Sequence, residues 1–476
     1  MGAVIAGLSA RFFPKAELGF RENLIKVGLW VSYLGIFGFQ YTLLIFGQKY
    51  PPGHKARSTF LTVSVIFPII FSIIVCAAYF IAYPFLGRLY QGNDAVMMKQ
   101  YFLLFPLLSV FGAMILWLEG YMQSMHKTAL QNFAREILAR VIYILLIVLF
   151  ACNVISFSTF IWLYVLGYLV PFLYLLIIAK RNPGFTFGFD RSVLPLSEIK
   201  ELIRFSGYHT LTVVSSVLIL QIDSFLLAPL KGFSVVAVYG IATLAVAMLR
   251  NPTRVIGIAA TPAFTKSYND GNMDELKDLF NRSAVNMQII AVVMVGLVYV
   301  NIHNVGAVMA MIKQGFGDIE GLILILMLGQ LFDMYTGLNY ELIGVSKYYR
   351  FNFWIAIVFM IIVFLLNYFL IRQFGMYGAA WATTTGLLIF NIAKSYFLWI
   401  KLKMQPFSMA SVKILVLGVI VGLLCWCIPP VFNTFVDIVV RSSLFGGLLW
   451  FAFYKAKVSG EINDITNNLI RNKKFY

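Results

Sequence analysis

Runs of about twenty apolar residues recur along the whole of this 476-residue chain, separated by short polar turns, and that spacing leaves few folds open. A helix of that length crosses a hydrocarbon core of about 30 Å. With 61% hydrophobic and 12% charged residues, and a mean hydropathy of +0.85, a soluble globular domain is excluded. The reading is an all-α polytopic membrane protein with about fourteen spans. They fall at 2–13, 24–46, 60–83, 101–123, 133–155, 160–179, 211–230, 235–264, 285–301, 322–343, 351–371, 379–400, 412–428 and 435–453. The first is short, rising only about 18 Å.

The net charge of +17 does not point to nucleic acid, because the basic residues lie scattered in short loops and form no patch. With the N-terminus inside, the inner loops and tail hold Lys49, Lys55, Arg57, Lys180, Arg181, Arg191, Lys200, Arg204, Lys401, Lys403, Lys455, Lys457, Lys473 and Lys474. The outer loops carry fewer: Lys15, Arg21, Arg88, Lys99, Lys231, Lys313, Arg372 and Arg441. That asymmetry places both termini in the cytoplasm. No cleavable signal peptide is expected, since no basic segment precedes GAVIAGLSARFF.

Two sets of six spans are joined by a polar, basic connector, which suggests a parallel internal repeat. The expected organisation is an N-lobe at 1–179, a connector at 180–204 and a C-lobe at 205–402. Two further spans and a cytoplasmic tail fill 403–476. Within the connector, LPLSEIKELIRF reads as a short interfacial helix capped by Ser197.

Charges inside spans are the informative ones, because each is costly in hydrocarbon. Arg250 and Arg254 sit in VVAVYGIATLAVAMLRNPTRVIGIAATPAF, on one helical face, with Pro252 between them. Pro252 has no N–H and clashes with the carbonyl of Met248, so a kink is expected there. Two fixed cations on one face suggest a site for an anion. The alternatives are a structural pair with Asp223 or Asp333, or snorkelling to the interface. Lys394, in IFNIAKSYFLWIK, reads as cavity lining or a headgroup contact. Asp223, in LILQIDSFLL, reads as a counter-ion or coupling site, and Glu119 and Asp333 are similar but nearer span ends. Arg135 and Arg140 read as interface anchors.

Cys76, Cys152, Cys425 and Cys427 have no metal or redox spacing and read as buried, inert thiols, and the four histidines form no ligand pair. No metal or cofactor is expected. Trp117, Tyr121, Trp162 and Tyr164 read as interfacial aromatics before sugar-stacking platforms.

Several stretches carry a family resemblance: GAVIAGLSARFFPKAELGFRENLIKVG, YGIATLAVAMLRNPTRVIGIAATPAFTKSYNDGNMDELKDLFNRSA, LFDMYTGLNYELIGVSKYYRFN and YGAAWATTTGLLIFNIAKSYFLWIKLKMQPFS. Together they resemble the polysaccharide-transporter branch of the multidrug/oligosaccharidyl-lipid/polysaccharide exporter superfamily, the flippases of lipid-linked oligosaccharides. The resemblance implies two pseudo-symmetric six-helix bundles around a central cavity, plus two C-terminal helices. It implies export of an undecaprenyl-pyrophosphate-linked sugar unit (O-antigen, capsule or exopolysaccharide) across the bacterial inner membrane. Arg11 resembles a basic residue that the family turns toward the cavity. The cationic site would then comprise Arg250, Arg254, Arg11 and Lys394. The partners would be that lipid-linked substrate, membrane lipids and polysaccharide-assembly proteins, with the chain acting as a monomer and without enzymatic chemistry. A multidrug–cation antiporter of the same superfamily would need acids in the first lobe, where Glu119 is the candidate. A membrane-embedded polymerase or ligase would need a long outer loop, which the chain lacks.

Overall fold

A computed structural model describes residues 2–312, 319–348, 350–430 and 433–472; Lys313, Lys473 and Lys474 therefore lie outside the described residues. The described residues form helices joined by turns, with no strand among them. They divide into two compact units, Met1–Ala237 and Val238–Tyr476.

The first unit opens with α1 (Gly2–Phe12), α2 (Lys15–Gly35), α3 (Phe39–Lys49) and α4 (Arg57–Leu86). It continues with α5 (Gly92–Gln100), α6 (Leu104–Ser124), α7 (Thr128–Asn132), α8 (Ala139–Ala151), α9 (Phe157–Leu166), α10 (Leu169–Lys180) and α11 (Leu196–Lys231). The expected span 24–46 is broken into α2 and α3 by a 43° bend. Gly38 sits at that bend with φ +69°, and a Cβ there would come within 2.2 Å of the Ser206 carbonyl oxygen. Only glycine combines that dihedral with that approach. Phe39, Phe60, Trp117, Tyr121 and Leu202 then pack into one core. Trp117 and Tyr121 belong to this core and not to an interfacial belt: both are buried, and Trp117 Nε1 donates to the Ser64 carbonyl at 2.8 Å.

α12 (Phe233–Ala247) carries the chain across the division between the units. The second unit holds α13 (Arg250–Asn269), α14 (Met273–Val300), α15 (Ile302–Ile312), α16 (Ile319–Tyr335), α17 (Asn339–Val345), α18 (Arg350–Leu402), α19 (Met409–Trp426), α20 (Thr434–Lys455) and α21 (Gly460–Asn472). α18 runs through both expected spans 351–371 and 379–400, with non-helical Gly375 (φ 58°, ψ −131°) as the joint between them. Phe264, Phe280, Leu342 and Leu398 clamp α13 against α14, α17 and α18.

Eight described helices are long and apolar enough to cross a membrane, or up to ten if each of two bent pairs is one span. Short elements account for part of the gap to the expected fourteen, since α1 has 11 residues and α8 has 13.

Three local expectations change. The interfacial helix is not separate: α11 runs unbroken for 36 residues, and its N-cap is Pro195, not Ser197. No proline interrupts FSGYHT, and one internal glycine costs too little to end a helix. Cys152 and Cys427 are exposed, leaving only Cys425 fully buried. Arg21, Arg57 and Arg441, assigned to loops, are inside helices and shielded: Arg57 and Arg441 are 2% and 6% exposed, and the Arg21 side chain 12%.

In the polar connector, Tyr50 Oη donates to Glu198 Oε2, and Lys49 Nζ approaches the same oxygen at 3.2 Å. The tyrosine hydrogen bond, and secondarily the ammonium, hold the Glu198 carboxyl below the usual carboxylate range.

Candidate functional site

The kink mechanism read from Pro252 operates one turn earlier than the proline itself. α12 ends at Ala247, the chain turns at Met248 and Leu249, and α13 starts at Arg250. Pro252 is thereby in the first turn of α13, where an N–H would have no helical partner anyway. The carbonyl it would strike, that of Met248, has left the helix. This break presents Arg250 and Arg254 on the first two turns of α13.

Both arginines are exposed, and neither makes an ion pair or hydrogen bond with the described residues. The structural pairs weighed for them do not form. Asp333 accepts from Asn391 Nδ2 at 2.9 Å and from Gln330 Nε2 at 3.3 Å. Asp223 is buried on α11 in the other unit, where the Ser224 amide donates to its Oδ1 at 2.6 Å.

At 100° per residue, Arg250 shares a face with Gly257 and Phe264, and Arg254 lies at its edge. Gly257 is buried, and a Cβ on it would meet Glu341 Oε1 at 2.8 Å. The arginine-bearing face thus runs into a polar cluster. Asp333 and Glu341 flank the 40° bend between α16 and α17, where Gly337 has φ +69°. Opposite them on α18 stand Asn391 and Lys394, both buried. Thr336 Oγ1 donates to Asn391 Oδ1 at 3.1 Å, closing a chain from Asp333 through Asn391 to Thr336. The Lys394 ammonium lies 4.2 Å from the centre of the Phe390 ring and makes no ion pair within 4.0 Å. A broken helix whose polar residues face one another is where membrane transporters place ligand contacts.

The first unit has its own polar group. Arg21 stacks its guanidinium over Tyr143 and Tyr164, at 4.1 and 5.1 Å from the ring centres, and pairs with Glu22 at 2.5 Å. Lys26 Nζ donates to Ser224 Oγ at 2.9 Å. Arg11 is exposed, with its guanidinium 5.9 Å from the Phe12 ring. Glu119 is 2% exposed, with Arg135 Nη1 3.8 Å away. Arg135 is therefore the partner of a buried acid as well as a surface cation. Among the described residues no group of three or more His, Cys, Asp or Glu is placed to hold a metal.

A family model described as "Polysaccharide biosynthesis protein" matches residues 1–268, more than half of the chain. The chain belongs to that family. Among solved structures, it is similar to the lipid II flippase MurJ in an inward closed conformation, with TM-score 0.74 and 13% identity, covering 96% of this chain and 97% of that one. An inward-facing multidrug resistance MATE transporter of the MOP superfamily gives TM-score 0.67 at 14% identity, over 84% of this chain and 94% of that one. A MOP-superfamily transporter from Pyrococcus furiosus, whose binding pocket is described as having reversed polarity, gives 0.54 at 14% identity, over 84% and 91%. At such identities the likeness concerns fold: this is a multi-pass membrane protein with the fold of MOP-superfamily transporters. No curated protein sequence matches.

Within that fold, Asp333, Glu341 and Lys394 are neighbours in the second unit, which also carries Arg250 and Arg254 on α13, whereas Arg11, Glu119 and Asp223 belong to the first. Sequence reading missed Arg21 by assigning it to a loop. Its signal was present: Arg21 and Lys26 lie within a stretch that stays helical from Lys15 to Gly35.

Proposed function

We propose that this family member is a flippase, moving a lipid-linked oligosaccharide from the inner to the outer leaflet of a bacterial inner membrane. The observation that supports this reading best is the exposed, unpartnered pair Arg250 and Arg254. Two guanidinium groups one turn apart offer bidentate hydrogen bonding to a pyrophosphate, whose desolvation would otherwise be prohibitive. The reading also counts Lys394 and Arg11 among the cations that meet the substrate, and the sugar units follow the phosphate. The undecaprenyl carrier, alternating access, cytoplasmic termini and monomeric action all belong to this reading. Membrane lipids and polysaccharide-assembly proteins are its partners. Each step is a movement, with no covalent chemistry.

The antiporter alternative is weakened by the state of the first unit's acids. Glu119 is buried beside Arg135, and Asp223 is buried on α11, so neither offers an open carboxylate to a cationic drug. The test is complementation. In a strain lacking its own flippase, the wild-type gene restores surface polysaccharide, and Arg250→Ala and Arg254→Ala, expressed at equal levels, do not. Full restoration by both variants would overturn the reading.

A further inference from the structure

On the first unit, α4, α6 and α10 line a groove of about 570 Å³ whose walls are apolar apart from Ser72 and Lys180. Along α4 it is lined by Val65, Ile69, Ile73, Ala77 and Phe80, spaced three and four residues apart, so it runs parallel to the helix axis. Lys180, at the end of α10, is the one charged residue in the lining, and it is exposed and without an ion pair among the described residues. Its position along the groove is fixed by the connector. The Gly188 amide donates to Thr62 Oγ1 at 2.9 Å, which brings the segment carrying Phe185 and Phe187 to the Val65 end. The groove therefore has a cation at its connector end and none elsewhere.

We propose that this groove binds the phosphate-proximal part of a polyprenyl chain, with Lys180 against the phosphate. This rests on the flippase reading and adds to it a resting place for the carrier's tail. Three features select the occupant. Between Arg57 and Arg88 the chain has no Asp, Glu, Lys, Arg or His, so α4 offers no charge to a polar guest, and an extended peptide would leave its backbone groups unsatisfied. The lone ammonium at one end complements an anionic head. The length separates the two lipids available. From Val65 to Phe80 is 15 residues, a rise of about 22 Å, whereas one leaflet of hydrocarbon is about 15 Å deep. A phospholipid acyl chain ends near the midplane; a polyprenyl chain continues past it.

The experiment uses the full-length protein in phosphatidylethanolamine/phosphatidylglycerol nanodiscs. It is exposed in parallel to a diazirine-bearing undecaprenyl phosphate and a diazirine-bearing phosphatidylglycerol, and the labelled peptides are mapped. The expected result is labelling of α4, α6 and α10 peptides by the prenyl probe in preference to the phospholipid probe, competed by unlabelled undecaprenyl phosphate. Ala77→Trp, at an exposed position that narrows the groove, removes most of that label, and Lys180→Gln weakens competition about fivefold. Equal labelling by both probes, indifferent to Ala77→Trp, overturns the proposal and makes the groove an ordinary lipid contact. Preferential prenyl labelling confined to other helices also overturns it, while leaving the flippase reading standing. Absence of any preferential prenyl labelling would count against both.

Discussion

Arg441 and Arg250 are both arginines within apolar helices of the second unit, and they are held in opposite ways. Arg441 is 6% exposed and completely engaged: Nε donates to Asp437 at 2.6 Å, Nη1 to the Cys425 carbonyl at 3.0 Å and Nη2 to the Ile428 carbonyl at 2.6 Å. It closes the C-terminus of α19 and ties it to α20. Arg250 and Arg254 are exposed and engage none of the described residues. Arg57 repeats the closed pattern in the first unit, donating to the Tyr50 carbonyl at 2.8 Å, with those of Gly184 and Gly47 at 3.4 and 3.3 Å. Cost in hydrocarbon alone does not separate these arginines. What separates the two kinds is whether the protein itself supplies the acceptors.

The contrast breaks most visibly at Arg441. Arg441→Ala removes the cation beside buried Asp437, which keeps the neutral Asn304 Nδ2 donor at 2.6 Å, and two carbonyls lose their guanidinium donor; unfolding in detergent should show a loss of about 3–5 kcal/mol. Replacing both partners, Asp437→Leu with Arg441→Met, should recover a large part of it; no recovery would show that the carbonyl contacts dominate the pair. Lys394 is intermediate, buried but without an ion pair. Lys394→Met should cost about 1–3 kcal/mol by leaving Asp333 and Glu341 uncompensated. Adding Asp333→Asn should cost less than the sum of the two, as measured by a double-mutant cycle.

For Arg250→Ala and Arg254→Ala the expected stability change is within about 0.5 kcal/mol, because no contact is lost. Reconstituted translocation should nonetheless fall at least about tenfold, a difference of roughly 1.4 kcal/mol in transition-state terms. Arg→Lys at either position should restore only part, since an ammonium lacks the fork. Destabilisation comparable to Arg441→Ala would erase the distinction drawn here. The smallest effect belongs to Glu198. Its carboxyl is held low in the folded state, so its contribution is present above the unfolded value near pH 4.3 and is lost as pH falls through the folded value. Glu198→Gln should lower stability by less than about 1 kcal/mol at pH 7 and make no difference below the folded value, as read from melting curves across pH.

Much of the fold was legible because hydrocarbon leaves only helices, and twenty-residue apolar runs declare themselves. Arg250, Arg254 and Lys394 were legible as candidates for the same reason: a charge in such a run stands out. Helix joints were harder. The bend at Gly38 depends on the Ser206 carbonyl, some 170 residues away in sequence, and no local pattern announces it. Arg441 was assigned to a loop, and nothing local announces its partners, which, Asp437 excepted, are backbone carbonyls that every residue carries. The Asp333–Asn391 contact likewise needed α16 and α18 to be brought side by side.

α11 leaves the polar connector and enters the first unit as one rod of 36 residues, about 54 Å long. At one end Glu198 is gripped by Tyr50 and Lys49; 25 residues on, Asp223 and Ser224 sit buried, with Ser224 joined to Lys26 of α2. A rod without a joint over that distance behaves as an axle. Torque applied at its connector end arrives at the Ser224–Lys26 contact with little slack.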